Sequence, residues 1–149
     1  MKPDKIYLDS NLLVDFYRRL MRKKRFEYPE IIDFLTERKE LPKFISSLSL
    51  LEIGAVTKKE FPAFTLKDLE NFTKSLIDTI GLEVIYLPEI NWKNALQYAM
   101  LCHDARNSLH IDIARSRDLW FITRDKDDPR VKSVYPKVMG ENKFRKQFD

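Results

Sequence analysis

Cysteine is almost missing from the chain: Cys102 stands alone among 149 residues. It can form no internal disulfide and has no second thiol with which to hold zinc, so its usage fits a reducing compartment. No apolar run approaches the ~20 residues that span a bilayer. The opening residues, Met1-Lys2-Pro3-Asp4-Lys5, lead straight into a strand-like segment and show no signal-peptide pattern. A cytoplasmic protein with no membrane partner is therefore expected. Repeats, low-complexity stretches and linkers are also absent, which leaves one domain spanning residues 1–149, large enough to bury a core.

Charge is plentiful. The net formal charge is +4 and the pI about 9.1, although 23 residues are acidic. That excess is compatible with a nucleic-acid partner without requiring one, and the 34% charged fraction also fits adaptation to high temperature. Six of the eight residues from Arg18 to Arg25 are basic, and the tail adds Lys143, Arg145 and Lys146. The cluster falls near the end of an expected helix, where cations complement the helix dipole.

Periodicity alternates between strands and helices. Lys5 to Leu8 reads as a strand ending at Asp9; Ser10 and Asn11 then read as helix caps before Leu12, Leu13, Phe16, Tyr17, Leu20 and Met21. Tyr28 to Lys39 reads as a helix with Pro29 in its first turn. Phe44 to Leu48 reads as a second strand ending at Ser49, which has capping-box spacing to Glu52. Leu66 to Ile80 is a helix stopped by Gly81, and Leu82 to Leu87 a third strand closed by Pro88. A helix from Trp92 to Met100 is followed by another in which Ala105, Leu109 and Ile113 recur. Leu119 to Ile122 is the fourth strand, and Lys137 to Met139 a candidate edge strand. The pattern predicts an α/β fold: a three-layer α/β/α sandwich with a mainly parallel central sheet of four to five strands.

In such a sheet ligands bind beyond the carboxyl ends of the strands. Asp9, Glu52 and Asp125 all belong to that edge, and Asp104 and Asn107, three apart, share a helix face nearby. Each has a plainer explanation alone, as a turn residue, a capping-box glutamate or a solvated acidic loop. Together they repel unless a cation sits among them, and hard oxygen ligands select Mg²⁺ or Mn²⁺. Such an ion activates water and neutralises charge on a phosphodiester. His110, within an apolar helix, reads as a core residue with a hydrogen-bonded ring. His103 and Cys102 are neighbours on a helix and point apart, so they make no dyad. Two other aspartate-dependent folds fit poorly. Asp9-Ser10-Asn11 lacks the second acid and glycine of a phosphatase, and Leu87-Pro88 lacks the acceptor aspartate of a receiver domain.

Three segments carry a family resemblance: Tyr7-Leu8-Asp9-Ser10-Asn11, Ile45 to Ile53, and Arg106-Asn107-Ser108-Leu109-His110-Ile111 continuing to Phe121 through Asp127. In order and spacing they resemble the PIN domain, a Mg²⁺-dependent ribonuclease fold that includes toxin subunits of type II toxin–antitoxin pairs. The resemblance implies that Asp9, Glu52 and Asp125 are acidic metal ligands. It also places Asn107 where the family usually has aspartate. Asparagine can offer a metal its carbonyl oxygen, so Asn107 completes or orients the shell, but it brings no charge, and Asp104, one turn earlier, is the preferred compensating acid. Asp112 is the alternative; the two lie about 12 Å apart along a helix and cannot bind one ion together. Asn11, Asp127 and Asp128 are supporting or alternative ligands. Arg18, Arg22, Lys23, Arg25, Arg106 and Arg124 are the expected contacts to RNA. A small antitoxin and a homodimer are family expectations. The competing reading is a catalytically weak or inactive PIN-like module that binds RNA or protein.

Overall fold

The computed structural model describes residues 2–24, 27–87, 100, 105–124 and 129–149. Of the helix expected over Trp92 to Met100, all but Met100 lies outside them.

Hydrophobic alternation in short strands explains the sheet. Ile6 and Leu8 of β1 (Ile6–Leu8) face one apolar cluster, and Tyr7 between them faces another. The same period-two division holds in β4 (Trp120–Thr123), with Ile122 on one side and Phe121 on the other, and in β5 (Val138–Gly140), with Met139 opposed to Val138. With β2 (Lys43–Ser46) and β3 (Leu82–Ile85) these form a five-stranded sheet of order β3-β2-β1-β4-β5, parallel throughout.

Parallel strands need crossovers, and the helices supply them on both faces. One core cluster holds residues of α1 (Val14–Met21), α2 (Glu30–Thr36), α3 (Ser47–Glu60) and α4 (Leu66–Ile80), and α7 (Glu141–Lys146) adds Phe144 to it. The other holds Ile111, Ile113 and Ala114 of α5 (Ala105–Ser116), with Val134 of α6 (Pro129–Val134) packed against it. The protein is a three-layer α/β/α sandwich. Each fully buried Leu or Ile contributes roughly 1.5–3 kcal/mol, so both sheet faces anchor the fold. Among the described residues no helix is long and apolar enough to cross a membrane.

Local boundaries differ from the sequence reading where side chains recruit backbone amides. Asp9, not Ser10 or Asn11, is the cap: its carboxylate accepts from the Asn11 amide and opens a 3-10 turn over Ser10–Leu12, so α1 starts only at Val14. The second strand stops at Ser46, because Ser46 and Ser49 cap each other's amides in a reciprocal box. Helix α3 therefore begins before Ser49, and Glu52 lies in its second turn, free of the capping role that its spacing suggested. Helix α2 is shorter than expected, with Pro29 at its N-cap and Thr36 at its last position. Gly81 does terminate α4, in the left-handed conformation at φ 73° that glycine adopts without a Cβ clash.

Candidate functional site

The strand order reverses at β1, whose successors in the chain run outward through β2 and β3 before β4 returns to its other side. In open α/β sheets ligands bind at such a switch point, here at the carboxyl ends of β1 and β4. Asp9 stands there, 1% exposed, directly after β1. The Asp9 amide donates to the Ile122 carbonyl of β4 at 2.9 Å, and Thr123 Oγ1 donates to Asp9 Oδ2 at 2.9 Å. Among the described residues its other oxygen has only long contacts, from Ser10 Oγ at 3.4 Å and the Asn11 amide at 3.5 Å.

Glu52 meets α5 across the same edge. His110 Nε2 makes a short hydrogen bond to Glu52 Oε1. Arg106, four residues before His110 and so on the same helix face, brings Nε to 3.2 Å from Oε2. Oε2 is buried, and among the described residues nothing, Arg106 included, is aligned to hydrogen-bond it. Behind His110 lies a buried polar chain: Nδ1 is 2.7 Å from the Tyr7 hydroxyl, which is 2.7 Å from Ser46 Oγ and 3.3 Å from Ser49 Oγ. Burial, with the negative charges of Glu52 and Asp9 adding to it, drives the Tyr7 phenol well above its usual range, against the hydrogen bonds from Ser46 and Ser49. Both carboxylates thus act on one hydroxyl without hydrogen-bonding each other.

The other residues singled out from sequence divide three ways. Asn107 is half-buried on α5, Asp112 is buried, and Asn11 sits in the 3-10 turn after Asp9. Asp104, Asp125, Asp127 and Asp128 lie outside the described residues, as does Arg25. The remaining basic residues are largely tied to acids. Arg18 pairs with Glu60 at 2.6 Å and Asp15 at 3.0 Å, Arg22 with Glu60 at 3.2 Å, and Arg124 with Asp15 at 3.3 Å. Partial burial raises the Asp15 pKa, but the Arg18 hydrogen bond and the Arg124 and Arg18 charges outweigh it and hold the carboxyl below the usual range. Lys23 is exposed at the end of α1. A polar hollow of about 320 Å³ is lined by Asp15, Arg18, Arg19, Arg22, Lys24 and Glu27. A larger one, about 460 Å³, lies by Phe34 and Arg145 and touches neither Asp9 nor Glu52.

Among the described residues no three His, Cys, Asp or Glu side chains are grouped to hold a metal. Asp9 and Glu52 nevertheless suit a hard divalent cation chemically. Both offer carboxylate oxygens, and the orphaned Glu52 Oε2 lacks the hydrogen bond that a buried acceptor ordinarily has. Sequence reasoning missed Tyr7, Ser46, Ser49 and Thr123. The available signal was position: Ser46 and Thr123 are the last residues of β2 and β4, Tyr7 is one before the end of β1, and Ser49 falls in the first turn of the helix after β2.

The fold and this edge define a doubly wound α/β/α protein with buried acids at the switch point. No family model matches the chain, and no curated protein matches it by sequence. Among solved structures, PAE2754 from Pyrobaculum aerophilum is similar, with a TM-score of 0.61 and 13% identity over 96% of this chain and 93% of that one. At that identity the likeness shows the fold alone.

Proposed function

We propose that the protein is a Mg²⁺- or Mn²⁺-dependent endoribonuclease of the PIN-domain type. The observation that carries the reading is Glu52 Oε2, a buried carboxylate oxygen with no hydrogen bond among the described residues, at the sheet edge where Asp9 ends β1. Asp9 and Glu52 would hold the ion with Asp125, the third acid that the family resemblance implies, Asp104 would compensate for the charge missing at Asn107, and Asn107 would complete or orient the shell. The ion, when bound, would supply a water of lowered pKa and neutralise charge developing on the phosphodiester. Thr123 fixes one oxygen of Asp9 and His110 one oxygen of Glu52, which orients the opposite oxygen of each. Arg124, exposed just beyond β4, and Lys23 would attract the RNA backbone, and Arg18 and Arg22 extend that positive surface along α1. The toxin-type reading adds a small antitoxin covering the acidic edge, a homodimer and a cytoplasmic setting.

The test is incubation of purified protein with mixed RNA in Mg²⁺ or Mn²⁺, beside EDTA and Asp9→Asn. Asparagine has the same shape: its oxygen can accept from the Asn11 amide while its Nδ2 donates to the Thr123 hydroxyl, so the variant should fold. Cleavage should fall about 10²-fold or more, the loss expected when several kcal/mol of metal-borne stabilisation disappear. Cleavage that survives Asp9→Asn removes the mechanism.

A second reading has its own observation: Arg106 already stands beside Glu52, and Asn107 replaces an acid. On that reading the edge is neutralised internally and the protein is a non-catalytic PIN-like module. It would bind RNA or a protein partner equally well without divalent metal.

A further inference from the structure

We infer that Tyr7 and His110 are positioning residues that aim Glu52, through a buried chain of hydrogen bonds with one direction; the inference rests on the metal-dependent reading of the edge. Glu52 as a carboxylate only accepts, so His110 Nε2 must carry the hydrogen it donates to Oε1. At the far end of the chain stand the two serines. Ser46 Oγ accepts from the Ser49 amide at 3.4 Å, and Ser49 Oγ accepts from the Ser46 amide at 3.1 Å. Each hydroxyl has a hydrogen to give as well, the two lie 3.5 Å apart, and the Tyr7 oxygen is within reach of both, so the serines can donate to Tyr7.

With its oxygen accepting from Ser46 and Ser49, Tyr7 is left one hydrogen, and the 2.7 Å partner for it is His110 Nδ1. In this direction of the chain the ring donates from Nε2 and accepts at Nδ1, and every group in the chain has a partner. Packing fixes the same ring: His110 is fully buried and stacks on Phe121, with centroids 6.0 Å apart and planes 17° apart. Pinned at Oε1, Glu52 has Oε2 left to offer a cation. This is the arrangement by which outer partners orient a metal-ligating carboxylate. It also assigns Ser46 and Ser49 a task beyond capping α3.

The test uses Tyr7→Phe, which removes one oxygen and keeps the ring packed against Phe121. Three measurements are made at one neutral pH: ¹⁵N NMR of the histidine ring nitrogens, calorimetric titration with Mn²⁺ alone, and steady-state RNA cleavage. The protein has two histidines, so a His103→Gln variant identifies the His110 signals. In the unsubstituted protein His110 should carry hydrogen on Nε2 only. In Tyr7→Phe the tautomers should mix, and Mn²⁺ affinity should fall about 10- to 100-fold, the usual loss when an outer partner of a metal ligand is removed. At saturating Mn²⁺ the KM for RNA should be unchanged, a split that general loosening of the fold would not give. His110→Gln, whose amide can still donate to Glu52, should bind Mn²⁺ more tightly than His110→Ala. Hydrogen on Nδ1 in the unsubstituted protein, or unchanged Mn²⁺ affinity in Tyr7→Phe, overturns the inference. Failure of the unsubstituted protein to bind Mn²⁺ overturns the metal reading itself, and the ring nitrogens still report the direction of the chain.

Discussion

Replacing Arg106 with glutamine separates the two readings of the edge. The guanidinium Nε lies 3.2 Å from Glu52 Oε2, with the Arg106 side chain 46% exposed and that of Glu52 15% exposed. Unit charges at that separation attract by about 1.3 kcal/mol in bulk water and about 5 kcal/mol at an effective dielectric of 20. The half-exposed arginine puts the pair near the weaker limit, and side-chain ordering leaves a net value of about 1 kcal/mol. In EDTA the Arg106→Gln protein should therefore melt about 2–4 °C lower than the unsubstituted one. If Glu52 ligates a metal, Arg106 competes with that metal, and removing it returns the same ~1 kcal/mol to binding. Mn²⁺ affinity should rise about fivefold. The two melting curves should converge when Mn²⁺ saturates both proteins. Thermal denaturation with and without Mn²⁺, beside calorimetry, checks both effects. A folded Arg106→Gln protein whose Mn²⁺ affinity is unchanged or weaker refutes the argument that Glu52 Oε2 is a ligand held in check by an internal cation.

Three further outcomes test the scaffold. Burial pushes the Tyr17 hydroxyl up to about 12 against the opposing hydrogen bond from Thr73, so the unfolded chain ionises first as pH rises. Stability should hold below pH 10 and fall by about 3 kcal/mol between pH 10 and 12, with Tyr7 acting in the same direction; denaturant melts at pH 9 and 11.5 measure it, and Tyr17→Phe should reduce the slope. Lys43 is buried in β2 and donates from Nζ to the carbonyls of Arg38 at 2.6 Å and Leu41 at 2.8 Å. Lys43→Met should leave both without that donor and lower unfolding free energy by about 2 kcal/mol, read by urea denaturation. In the middle of α3, Gly54 has room for a Cβ at ordinary contact with Leu69 Cδ2, 3.4 Å away. Gly54→Ala should raise stability by about 0.5–1 kcal/mol in the same assay, and a loss would mean that α3 and α4 cannot yield at that contact.

Much of the architecture could be read in the residues because it follows from local periodicity. The alternation about Tyr7 and Phe121, the three- and four-residue spacing of Leu66, Leu69, Phe72, Leu76 and Ile80, and Gly81 at a helix end are short-range signals. They implied parallel strands with helices on both faces, and so which strand ends share an edge. Boundaries slipped where one side chain outbid another for a backbone amide. Ser46 and Ser49 closed a box that the sequence fits equally well with Ser49 and Glu52.

By itself the sequence determined the layered α/β class and placed Asp9 and Glu52 at the carboxyl edge, because hydrophobic period and strand direction are carried by neighbouring residues. Only the tertiary structure decided which partners those acids meet. Tyr7 and His110 are 103 positions apart, Glu52 and His110 are 58 apart, and Arg124 turns to Asp15 across 109 residues. Contacts of that kind depend on how two helical layers pack over a sheet edge, and no local pattern encodes them.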